Sequence, residues 1–133
     1  MTKPLAVITG ASSGIGEATA KAFSNAGYPT LLLARRIEIM ESFNLKNSIC
    51  KKIDVRDRDA LVSAIREAEK QYGPTDMMFN NAGVARLADI STQDPSEWDE
   101  MIDVNTKGVM NGIYAVMKDM KAVSYTHLTL PTT

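Results

Sequence analysis

The feature that most restricts the fold sits near the N-terminus. A β-rich run, Leu5-Ala6-Val7-Ile8, passes directly into Thr9-Gly10-Ala11-Ser12-Ser13-Gly14-Ile15-Gly16, and Ile15, Ala18 and Ala22, with Phe23 alongside, then follow at helical spacing. A strand, a glycine turn and a helix in immediate succession gather free backbone N–H groups and the positive end of a helix dipole at one point. Glycines let the main chain come close to an anion placed there. The spacing Gly10-x-x-x-Gly14-x-Gly16 is not the G-x-G-x-x-G of the commoner dinucleotide fingerprint. Taken alone, it fits either a phosphate cradle or glycines that serve only a tight turn.

The rest of the chain supplies the context. The first helix is expected from Ile15 to Asn25, with Gly27 as its C-terminal cap. Pro29 to Ala34 is a continuous apolar run, as in a strand buried on both faces. After a polar stretch, Ser48 to Val55 is expected to be a third strand that runs out at Asp54. Arg58 to Tyr72 has the apolar spacing of a helix (Leu61, Ile65, Ala68) and stops at Gly73-Pro74. Met77-Met78-Phe79 is a fourth strand running into Asn80-Asn81-Ala82-Gly83. Pro95 to Lys121 is expected to be one long helix, with Asp94 as N-cap and Pro95 at its first position. This order predicts an α/β, Rossmann-like, doubly wound parallel sheet, truncated after about four strands. In such a sheet the residues leaving the carboxyl ends of neighbouring strands line the ligand crevice.

Together, Thr9 to Gly16 and Asn80-Asn81-Ala82-Gly83 resemble the short-chain dehydrogenase/reductase family, in its compact single-domain branch, over residues 4 to about 121. The resemblance implies that Gly10, Ser12, Ser13, Gly14, Ile15 and Gly16 form the dinucleotide-binding turn. It implies that Asp54 binds the adenine amino group, that Val55 packs on the ring, and that Asn81, Ala82 and Gly83 line the cofactor ribose. NAD-binding members end the second strand in an Asp or Glu that holds the ribose hydroxyls. Here Ala34 stands at that position, followed by Arg35-Arg36. Loss of the carboxylate removes repulsion against a 2′-phosphate, and guanidinium groups offer it charge-assisted donors. NADP(H) is therefore expected rather than NAD(H), with Arg35 the primary contact. Arg36 either flanks the adenine or is a solvated residue at a helix start.

The family moves a hydride between nicotinamide and an alcohol or carbonyl carbon. Its acid/base is the Tyr of a Tyr-x-x-x-Lys pattern, with a Ser orienting the substrate oxygen and an Asn in the helix after the fourth strand holding a water. Asp103-Val104-Asn105 matches that Asn segment, so Asn105 is the one catalytic residue carried over. Without the resemblance, a mid-helix Asn would pass as an ordinary polar position. The Ser and the Tyr-x-x-x-Lys should follow a fifth strand, and the chain ends before them. Ser124-Tyr125 is a decoy, since position 129 is Thr. Back-translated, Val123 to Thr132 resembles the transposon end and adapter used in preparing sequencing libraries. Two domains are thus expected: 1–121, the N-terminal part of an NADP-binding Rossmann domain, and 122–133, a non-native tail.

The expected parent is an NADP(H)-dependent oxidoreductase acting on a small alcohol or ketone, with this shortened chain inactive. Two rivals are a 3-oxoacyl carrier-protein reductase and a non-catalytic NADP(H)-sensing module. A net charge of −1 gives no reason to expect a nucleic-acid or membrane partner. No apolar run approaches the roughly 20 residues of a membrane span. Met1-Thr2-Lys3-Pro4 carries no cleavage signature, and the single Cys50, read as a small half-buried side chain, fits a reducing compartment. The expected location is the cytoplasm. No metal site is expected; His127 is the only histidine and has no second ligand placed beside it. Trp98, Met101, Met110, Met117 and Met120 are read as packing or subunit-interface surface, since in relatives this helix helps join subunits, and the parent is expected to be a homo-oligomer.

Overall fold

The computed structural model describes residues 3–122 and 128–129. Its elements are β1 (Leu5–Thr9), α1 (Gly14–Asn25), β2 (Thr30–Ala34), α2 (Ile37–Glu41), β3 (Ser48–Lys52), α3 (Arg58–Tyr72), β4 (Thr75–Phe79), α4 (Pro95–Ile102), a π-helical turn (Asp103–Lys107), α5 (Gly108–Ala122) and β5 (Leu128–Thr129). All strand pairings are parallel, in the order β3-β2-β1-β4-β5. The chain steps outward from β1 to β2 and β3, then returns to place β4 on the other side of β1. The strand order therefore reverses between β1 and β4, which is where a doubly wound sheet opens its crevice.

Strand period and burial explain the two layers. Every residue of β1 and β2 is buried. Leu5, Val7, Leu31 and Leu33 point to one face, where Met78 joins them against Leu61, Ile65 and Ala68 of α3 and Val116 and Met120 of α5. Ile8, Leu32 and Ala34 point to the other face, against Ala20 of α1 and Met40 of α2. Gly27 lies just past α1 at φ +91 and donates its N–H to Ser24 O, the expected C-terminal closure. Asp94 caps α4 by accepting from Ser96 N.

Two expectations need correction. β3 ends at Lys52, so Asp54 lies two residues beyond the sheet. The cause is local: the Asp54 carboxylate accepts from Arg56 N at 3.0 Å and its carbonyl from Asp57 N at 2.9 Å, a turn that competes with the strand ladder. The polar stretch after Arg36, whose structure the sequence left open, holds the short helix α2 with Arg36 at its N-cap. The helix expected as continuous from Pro95 is widened to a π-helical turn at Asp103–Lys107, for the reason given below. Beyond β4, Leu128 and Thr129 pair with Met78 and Phe79. An unpaired strand edge templates any chain that can extend beside it. Ser124, Tyr125 and His127 lie outside the described residues.

Candidate functional site

Thr9 ties the two motifs together. Its Oγ1 accepts from the backbone N–H groups of both Asn81 and Ala82 at 3.0 Å and donates to Phe79 O at 3.3 Å. The Asn81 side chain donates in turn to Gly10 O at 3.3 Å. The turn after β1 is thereby laced to the turn after β4, and the contact is too close for side chains. Gly10 has φ +64, and a Cβ there would lie 2.9 Å from Ala82 Cα. A Cβ on Gly16 would fall on Gly10 O and lie 2.7 Å from Asn81 Nδ2. Asn80, 3% exposed, packs its Oδ1 where a Cβ of Gly112 would be, which fixes α5 against the end of β4.

A cleft of about 410 Å³ opens at this edge. Gly10, Ser12 and Ser13 form one wall, Asn81, Ala82 and Gly83 another. Arg35, Arg36, Asp54 and Val55 stand at the far end. Ile53 N donates to Ala34 O at 3.1 Å, so Arg35 and Asp54 both leave the sheet at the same crossing of β2 and β3. Arg35 makes no ion pair or hydrogen bond among the described residues, whereas Asp54 is held by Arg56. Arg56 reaches its Oδ2 through Nη2 at 2.6 Å and its Oδ1 through Nε at 3.0 Å. Those hydrogen bonds hold the Asp54 carboxyl below its ordinary value, against the opposing pull of burial, and Arg35 adds to the effect. The same pair raises Arg56. Across the loop, Arg86 Nη2 pairs with Glu100 at 3.1 and 3.3 Å and lowers its carboxyl likewise.

Sequence reasoning missed four positioning residues: Thr9 and Arg56, as above, and Asn111 and Val84. Asn111, 1% exposed, donates to Val55 O at 2.8 Å and accepts from Arg58 Nε at 3.0 Å. It pins Val55 at the cleft while tying α3 to α5. A polar residue in a helical stretch carries no sign of this in one sequence. Gly14 and Ile15 lie on the exposed first turn of α1, outside the cleft wall, and Gly16 is buried behind it.

Asn105 also stands off the wall. Its Oδ1 accepts from Val84 N and its Nδ2 donates to Val84 O, both at 2.8 Å, so the amide completes the main chain just past Gly83. The widened turn around it, and Gly108 packed so closely that a Cβ would come within 2.5 Å of Val55 Cγ2, account for the break in the helix. Asn105→Ala would leave both Val84 groups unpaired and is expected to lower stability by about 2 kcal/mol, read by urea denaturation. A Tyr-x-x-x-Lys spacing does occur, at Tyr114 and Lys118 of α5. Tyr114 is 67% exposed, its ring lies 5.7 Å from the Arg58 guanidinium, and it takes no part in the cleft.

The sequence profile of the short chain dehydrogenases matches residues 4–127. The chain belongs to the short chain dehydrogenase family. An uncharacterized oxidoreductase of Listeria monocytogenes is 39% identical over 128 residues, which cover 92% of this chain and 52% of that protein. The acetoacetyl-CoA reductase of Paracoccus denitrificans is 34% identical over 123 residues, 91% of this chain and 51% of the reductase. The structure of an alcohol dehydrogenase from the archaeon Thermococcus sibiricus, complexed with 5-hydroxy-NADP, superposes with a TM-score of 0.83 at 28% identity, covering 92% of this chain and 55% of that one. This short chain dehydrogenase thus spans about half the length of the curated relatives it matches. Among its described residues, no helix is long and apolar enough to cross a membrane.

Proposed function

We propose that this chain is the dinucleotide-binding part of an NADP(H)-dependent oxidoreductase that moves a hydride between nicotinamide and a small alcohol or ketone. The observation that carries the cofactor choice is Arg35: exposed, unpaired among the described residues, and following Ala34 where a carboxylate would repel a 2′-phosphate. The residues present fit such a ligand. Gly10, Ser12 and Ser13 line the cleft at the N-terminal end of α1, and the N-cap Ser13 side chain leaves the N–H groups of that first turn open to an anion. When bound, the nicotinamide supplies the hydride chemistry. Gly10, Ser12, Ser13, Gly14, Ile15 and Gly16 would cradle the pyrophosphate, and Asn81, Ala82 and Gly83 the ribose. Arg35 would pair with the 2′-phosphate, Arg36 would flank the adenine, Val55 would pack on the ring, and Asp54 would accept from its amino group.

Asn105 would act through its main chain, since its amide is spent on Val84. Its place in a π-helical turn, a feature frequent at functional sites, supports a water-holding role. With Tyr114 and Lys118 turned away from the cleft, the 133-residue chain is expected to bind cofactor without turnover, and residues 122–133 are proposed to be a non-native tail. In the longer parent, the similarity to acetoacetyl-CoA reductase favours a 3-oxoacyl thioester as a second substrate reading. Calorimetric titration of the chain with NADP⁺ and NAD⁺ tests the cofactor choice: the expected result is NADP⁺ at least about tenfold tighter, one order of magnitude being ~1.4 kcal/mol. Equal affinities would rule it out.

A further inference from the structure

The charges around Arg35 are arranged in an unequal set. Two carboxylates lie near it, Asp54 after β3 and Glu100 on α4, and Arg35 helps to hold both ionised. Each already has its own guanidinium: Arg56 fork-paired to Asp54 at 2.6 to 3.1 Å, and Arg86 on Glu100 at 3.1 Å. Glu100 and Asp103 face Arg56 as well, and Glu97 faces Arg86. Arg35 has no direct partner among the described residues. Arg35 and Asp54 share one end of the cleft and leave the sheet at the same β2–β3 crossing.

We infer that Arg56 is a specificity-determining residue: by holding the Asp54 carboxylate, it keeps Arg35 available to a phosphate on the ribose 2′ position. This rests on the reading that Arg35 receives that phosphate. Remove Arg56, and Asp54 loses the fork that occupies both its oxygens. Arg35 is then the other cation acting on Asp54, and an unneutralised carboxylate stands beside the phosphate site. Both consequences weaken a 2′-phosphorylated ligand and spare an unphosphorylated one. Arg56 is exposed and stands outside the apolar core, so its removal leaves the packing untouched.

Two probes that differ only in the 2′-phosphate, 5′-AMP and adenosine 2′,5′-bisphosphate, isolate the effect. Their affinity ratio is measured by calorimetry on the 133-residue chain. R56A is expected to reduce the preference for the bisphosphate about fivefold, the scale of one partly screened charge contact. R56K, which keeps the charge but not the fork, should fall in between. The double variant D54N/R56A should restore the ratio to within about twofold of the original, because the offending carboxylate charge is gone. An unchanged ratio in R56A overturns the inference, and so does a loss that persists in D54N/R56A, which would mean that Arg56 touches the phosphate itself. R35A separates the two levels. If R35A abolishes the preference and R56A does not, only the role of Arg56 fails. If R35A leaves the preference intact, the phosphate reading fails with it.

Discussion

Gly16→Ala is expected to abolish saturable NADP⁺ binding and to lower stability by about 3 kcal/mol, the upper range for overpacking. The reason is what the new methyl would meet. It would fall on the carbonyl oxygen of Gly10 and on the Asn81 amide, and neither can move aside cheaply. The Gly10 carbonyl is held by the Asn81 amide, and the Asn81 main chain by Thr9. Relief requires α1 to tilt away from β1 or the turn to open, and either breaks the lacing of the two motifs at the switch point. Gly14→Ala makes a useful contrast. A Cβ there meets nothing within 4 Å, so only its φ of +55 is penalised, at about 1 kcal/mol. Urea denaturation and NADP⁺ titration of both variants read the difference. A Gly16→Ala chain as stable as the parent, with binding intact, would show that the turn is looser than its contacts imply.

The second large effect is expected at Arg35. Arg35→Ala should weaken NADP⁺ binding about 30-fold, as for loss of one charge-assisted, bidentate contact worth ~2 kcal/mol. NAD⁺ has no 2′-phosphate and should bind within about twofold of the parent. The effect should shrink as salt is raised, since Arg35 is exposed and its field is screened. A parallel loss for both dinucleotides would mean that Arg35 supports the cleft rather than reading the phosphate.

The parts of this fold that were legible in the sequence are those set by local chemistry. Strands buried on both faces read as unbroken apolar runs, as at Leu31 to Leu33. α3 is bounded by Asp57 as its N-cap and Gly73 beyond it, and the expected range Arg58–Tyr72 is the observed one. The glycine turn and the Asn81-Ala82-Gly83 segment signalled their juxtaposition because glycine and small residues are needed where two backbones touch. The parts that were not legible depend on partners distant in sequence. Nothing local to Asn105 shows that its amide closes on Val84, and hence nothing showed the π-helical turn. Nothing local to Asn111 shows that it anchors Val55, 56 residues away. Asp54 was recognised, but not that Arg56 two positions on would hold it and bend the chain out of β3. The Tyr114–Lys118 spacing teaches the converse: a pattern that matches by spacing alone can sit on the exposed side of a helix and outside the cleft.

The central claim is that the edge where β1 and β4 part is a dinucleotide site whose far end selects a 2′-phosphate. The most direct test is NADP⁺ titration of the ¹⁵N-labelled chain, followed by amide chemical shifts, with NAD⁺ in parallel. The predicted result is saturable shifts at Gly10 to Gly16, at Asn81 to Gly83 and at Asp54 to Val55 with both ligands, with Arg35 and Arg36 shifting further with NADP⁺ alone. Shifts scattered over other surfaces, or the same response at Arg35 to both dinucleotides, would contradict it.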